Sequence, residues 1–173
     1  EEMKKLVELN SVTENLIDFS GKEAVNLSEN TTVTQMIQLT APYIKSKILN
    51  SKKLSLFLLF HAFSNKAKTL SERQKIVEIV CLNYLNENET QILNNFLYLL
   101  SEKDFTKSAK KEIEKLIYSS SSDYAENAKW LSYAQITESI PYLWKSIKKN
   151  SKTLEKNDLI ILASLARLGE RKA

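Results

Sequence analysis

Apolar and polar positions along the chain are arranged around one stretch, residues 51–64, reading SKKLSLFLLFHAFS. Within 54–63 apolar side chains would fall on every side of any regular structure, interrupted only by Ser55 and His61. A helix that is apolar all round is a buried helix. A continuous apolar run has no diagnostic period, so a buried strand also fits. Helix is the better reading. Ser51 can cap it, Lys52 and Lys53 mark a solvated entry, and leucine outnumbers β-branched residues. The run is too short to cross a bilayer, which needs roughly 20 apolar residues.

The flanking segments also repeat at helical spacing. Residues 1–10 predict a short amphipathic helix. Ser11 and Glu14 have the spacing of a capping box, predicting a second short helix that buries Val12, Leu16, Ile17 and Phe19 and stops at Gly21. Residues 22–31 read as loop. Val33, Met36, Ile37 and Leu39 form a stripe over 32–49, with a kink or break expected at Thr40, ahead of Pro42. Further helices are predicted over 71–85, 89–100, 103–118, 123–134, 137–149 and 158–168, the last ended by Gly169. The four serines at 119–122 read as a mobile loop.

Composition sharpens this to an all-α fold. The chain has 173 residues, 43% hydrophobic and 27% charged, with 2 glycines and 2 prolines. So few turn formers leave little room for a β-sandwich, a Rossmann crossover or a glycine-rich phosphate loop. The expected organisation is a single domain over 1–173. Short helices and a loop occupy 1–31, stacked helical hairpins 32–168 and a charged tail 169–173. The sole cysteine, Cys81, lies in an apolar segment and reads as a small buried hydrophobe. With no possible disulfide inside the chain, an intracellular, reducing location is expected. The chain begins at Glu1, which suggests a fragment of something longer.

Two stretches echo each other. Ala41-Pro42-Tyr43-Ile44 leads to Asn50-Ser51-Lys52, and Ile140-Pro141-Tyr142-Leu143 leads to Asn150-Ser151-Lys152. Each precedes a nearly apolar helix. The prolines are separated by about three units of ~33 residues, within the range of helical-hairpin repeats. The predicted helices pair at that spacing: 32–49 with 51–64, 71–85 with 89–100, 103–118 with 123–134, and 137–149 with 158–168. On these segments the chain resembles a HEAT- or armadillo-type helical repeat. The resemblance implies a solenoid and a role in binding a partner. An irregular multi-helix bundle obeys the same packing rules and stands as the alternative.

No catalytic signature accompanies this layout. One histidine and one cysteine, His61 and Cys81, make neither a structural zinc site nor a nucleophilic pair. No nucleotide-binding, zinc-protease or serine-hydrolase motif occurs. The expectation is a non-enzymatic chain without catalytic residues, metal or cofactor. Charge gives the remaining hint. The formal net charge is +4, and from Pro141 onward eight basic residues stand against three acidic ones. Lys145, Lys148, Lys149 and Lys152 have the spacing of one helical ridge, with Tyr142 beside them. These five residues are the candidate partner-binding site. The expected function is a protein-interaction or scaffold module for a peptide or partner subunit. The alternative is a nucleic-acid-binding helical module that uses the same ridge to hold phosphates. No membrane span is expected.

Overall fold

A computed structural model describes residues 14–17, 24–27, 30–45, 49–85, 90–119, 124–147 and 154–170. The fold is all-α, with one small hairpin ahead of the first described helix. The helix expected over 1–10, most of the serine loop and the end of the charged tail lie outside the described residues. Two compact units form, Glu1–Ile76 and Val77–Ala173. The division falls inside a helix.

The first unit opens with β1 (Glu14–Ile17) and β2 (Ala24–Leu27), paired antiparallel with Glu14 opposite Leu27 and Ile17 opposite Ala24. This corrects the helix predicted to bury Leu16 and Ile17. The capping-box spacing at Ser11 and Glu14 is a weak local signal. Extended backbone at 14–17 instead finds a hydrogen-bonding partner in the segment Ala24–Leu27. Helix α1 (Val33–Ile44) starts at Thr32, whose hydroxyl accepts from the Gln35 amide at 3.2 Å, while Gln35 Oε1 accepts from the Thr32 amide at 2.8 Å. The break expected at Thr40 does not occur. Thr40 is buried, and its hydroxyl donates to the Ile37 carbonyl at 2.8 Å rather than capping a new turn. Pro42 lies in the last turn of α1, so few intrahelical bonds beyond it depend on the missing N–H.

Helix α2 (Leu49–His61) packs against α1, as the apolar stretch predicts. Leu54, Ser55, Leu56, Leu58 and Leu59 are all buried. Ser55 satisfies its hydroxyl on the Lys52 carbonyl at 2.8 Å. A π-helical turn, Ala62–Lys66, follows. Helix α3 (Leu70–Tyr84) is capped by Thr69, whose hydroxyl accepts from the Glu72 amide. Arg73 of α3 lies 4.3 Å from the Phe63 ring centre.

The second unit holds the C-terminal part of α3, then α4 (Thr90–Leu97), α5 (Lys107–Glu114), α6 (Tyr124–Tyr133), α7 (Ile140–Ser146) and α8 (Lys156–Arg167). The single helix predicted over 103–118 is divided. A 3-10 turn spans Glu102–Asp104, and α5 continues into a second 3-10 turn, Lys115–Tyr118. The cause is capping. Buried Asp104 accepts from the Ser101 amide at 2.8 Å, which closes the first turn, and Thr106 accepts from the Ala109 amide to start α5. The predicted helix 137–149 likewise becomes the 3-10 turn Thr137–Ser139 followed by α7.

The echo between the prolines is one of sequence alone. Pro42 lies inside the last turn of α1, whereas Pro141 is the second residue of α7, where a missing N–H removes no intrahelical bond. Helix α6 is the centre of this unit. Ala125, Asn127, Ala128, Trp130, Leu131 and Ser132 are buried, covering most of its circumference. It packs most extensively on α8, and also on α4, α5 and α7. Two small residues on one side, Ala125 and Ala128, permit this close approach.

Candidate functional site

Helices α4, α6 and α8 run side by side in the same direction. The contacts between them join residues 32 to 35 positions apart in the chain. Two of these helices also end in the same way. After α6, Gln135 adopts φ 56°, and the Ile136 amide reaches back to the Leu131 carbonyl at 2.9 Å. After α8, Gly169 adopts φ 84°, and the Glu170 amide reaches the Leu165 carbonyl at 3.0 Å. Both are Schellman ends, with a left-handed residue closing the helix. The Gln135 side chain bridges them, donating to the Arg167 carbonyl at 3.3 Å.

One face of this trio carries two features. The first is a row at the helix ends. The Tyr98 and Tyr133 rings meet edge to face with centroids 6.3 Å apart. The Arg167 guanidinium lies 4.0 Å from the Tyr133 ring centre. Tyr98, just past α4, is 65% exposed, and the neighbouring Leu99 is exposed as well. Such an arrangement combines apolar ring area with polar handles and a cation held on an aromatic face.

The second feature is a polar cavity of about 430 Å³, one helical turn from the row, lined by Asn94, Glu126, Lys129, Lys156, Asn157 and Ile160 among others. Lys129 Nζ donates to Glu126 Oε1 at 2.7 Å and to Asn94 Oδ1 at 3.0 Å, and Asn94 Nδ2 donates to the same Glu126 oxygen at 3.4 Å. The Lys129 side chain is only 17% exposed. Lys156 and Asn157, in the first turn of α8, are exposed at the rim.

The sequence-predicted site fares differently. Lys145 is exposed near the end of α7, but that helix stops at Ser146 and Ile147 has extended backbone, φ −73° and ψ 127°. A continuous helix is what would align Lys145 with Lys148, Lys149 and Lys152, and α7 itself does not continue past Ser146. Lys148, Lys149 and Lys152 themselves lie outside the described residues. Tyr142 is half-buried. Its ring sits 5.9 Å from that of Tyr124, and its hydroxyl accepts a long hydrogen bond, 3.5 Å, from buried Asn127, which also donates to Ser119 Oγ at 3.2 Å. Burial pushes the Tyr142 hydroxyl above its ordinary pKa, against the opposing Asn127 hydrogen bond.

His61 and Cys81 sit as the apolar pattern implies. His61 is half-buried, and Asn65 Nδ2 lies 3.2 Å from its Nδ1. Cys81 is buried at 3% exposure, and burial raises its thiol pKa strongly, helped by the charges of Glu112 and Glu78. Among the described residues no group of three or more His, Cys, Asp or Glu side chains is placed to hold a metal ion. Among them, too, no helix is long and apolar enough to cross a membrane.

Sequence reasoning passed over Asn94, Tyr98, Lys129 and Tyr133. The signal that finds them is spacing. Tyr98 and Tyr133 are 35 positions apart, as are Asn94 and Lys129, close to the interval the prolines suggest. Comparison with family models, with curated proteins and with solved structures gives no match.

Proposed function

We propose that the chain is a non-catalytic, intracellular protein-interaction module, built of stacked helical hairpins, whose α4–α6–α8 face receives a peptide or partner subunit. The observation that carries this reading is the row Tyr98–Tyr133–Arg167, in which Tyr98 and Arg167 are exposed and Tyr133 half-buried between them. Tyrosine and arginine are the residue types that dominate binding energy at protein interfaces. Here they are already ordered against one another, so little side-chain freedom remains to be lost on binding. The shared helix ends of α6 and α8, and contacts recurring every 32 to 35 residues, support the stacked-hairpin reading. Of the four lysines behind the nucleic-acid alternative only Lys145 lies among the described residues, so the α4–α6–α8 face supports a protein-binding reading more directly.

The test is selection of a displayed random-peptide library on the folded chain. Binders are expected that lose affinity when Tyr98→Ala or Arg167→Ala is introduced. Binders indifferent to both substitutions would place recognition elsewhere and refute the assignment of this face.

A further inference from the structure

Resting on the reading of the α4–α6–α8 face as a binding surface, we infer that the cavity beside Lys129 and Lys156 takes a carboxylate side chain of an acidic, extended partner segment.

The first argument is the donor balance. Lys129 and Glu126 offset each other at 2.7 Å, which leaves Lys156 as the uncompensated charge in the lining. An ammonium group has three donors. Lys129 spends one on Asn94 and one on Glu126, so one remains. Asn157 and Lys156 add further N–H groups at the rim. The nearby acids Glu155 and Asp158 do not line the cavity. They form the reciprocal cap of α8, with Asp158 Oδ2 accepting from the Glu155 amide at 3.1 Å. A surplus of donors around a mainly polar wall fits an anionic, planar acceptor, and a carboxylate meets that description.

The second argument is size and position. About 430 Å³ accommodates a side chain of Asp or Glu size with room for water. Tyr98, just past α4, follows Asn94 by four residues and its amide still bonds the Asn94 carbonyl, and Tyr133 follows Lys129 by four on α6, so the cavity and the aromatic row are about 6 Å apart along the helix axes. Two residues of extended chain cover that distance, at roughly 3.3 Å each. The expected partner segment therefore carries Asp or Glu two positions from an aromatic or aliphatic residue, which rests on the Tyr98–Tyr133 row. A phosphate backbone suits the site less well, because a single uncompensated lysine neutralises few phosphates.

The experiment uses the full 173-residue chain. Peptides are selected from a random display library, and the best are synthesised with their acidic residue intact and as the matching amide. Affinities are measured for the unaltered chain, Lys156→Glu and Tyr98→Ala, with circular dichroism to verify folding. Lys156 is exposed, so charge reversal leaves the core intact. The inference predicts selected sequences with Asp or Glu at the stated spacing. Conversion to the amide, or Lys156→Glu, should each weaken binding about tenfold, and a lysine-bearing peptide should regain affinity for Lys156→Glu. Peptides that depend on Tyr98 but show no acidic preference and ignore Lys156→Glu would overturn this inference and leave the binding face standing. Peptides indifferent to both substitutions, or RNA bound where acidic peptides are not, would overturn both.

Discussion

The guanidinium of Arg167 lies 4.0 Å from the centre of the Tyr133 ring, joining the end of α8 to the end of α6 across 34 residues of chain. A cation over an exposed aromatic face contributes about 0.5–1 kcal/mol. Arg167→Ala should therefore lower the unfolding free energy by about that amount in urea titrations. Tyr133→Ala should cost more, because it also removes the edge contact with Tyr98. Equal and negligible effects from both would mean that the row does not couple the two helices.

Gly169 offers a cleaner test of the helix ends. Its φ is 84°, and an added Cβ would meet nothing within 4 Å. Gly169→Ala therefore carries backbone strain without a steric clash, at a cost of about 1 kcal/mol. Gly169→Asn should cost less, since asparagine tolerates the left-handed conformation. The measurement is the urea midpoint of each variant; a neutral Gly169→Ala would contradict the Schellman end.

His61 makes stability depend on pH. Burial, with the nearby Lys66 charge adding to it, lowers its pKa below 6.5 in the folded state. With the folded value depressed, the unfolded chain binds the proton more readily, so stability rises with pH across this range. The contribution is present above pH 6.5 and is lost as pH falls from there through the folded value. Urea midpoints should decline on acidification below 6.5, and His61→Gln should flatten that decline. Unchanged pH dependence in the variant would show that other groups govern it.

Cys81 should report the opening of α3. Buried at 3% exposure with its thiol held protonated, it should react with a disulfide reagent only as fast as the helix exposes it. Full reactivity is expected in urea. Immediate labelling of the native chain would contradict the burial.

Much of this architecture was legible in the sequence. Helix α2 follows from its continuous apolar run, and Gly169 marks its helix end because few other residues adopt that backbone. The scarcity of glycine and proline indicates the all-α class. The misses have physical causes. Capping-box spacing at Ser11 promised a helix where a strand partner at 24–27 stabilises extended backbone instead. Thr40 and Pro42 looked like a break, but the proline sits too near the end of α1 to disrupt it. The helix predicted over 137–149 is shorter than its spacing suggests, because periodicity cannot register a backbone that turns extended at Ile147. The α4–α6–α8 face stayed hidden for another reason. It assembles residues about 34 apart, and only the stacking of those helices brings them together.

The most direct test of that face is hydrogen–deuterium exchange on the chain, with and without a selected peptide. The account predicts added protection at 94–99, 129–136 and 156–168, with little change at 102–118. Protection centred on 102–118 or on α7, with the three helix ends unchanged, would contradict it.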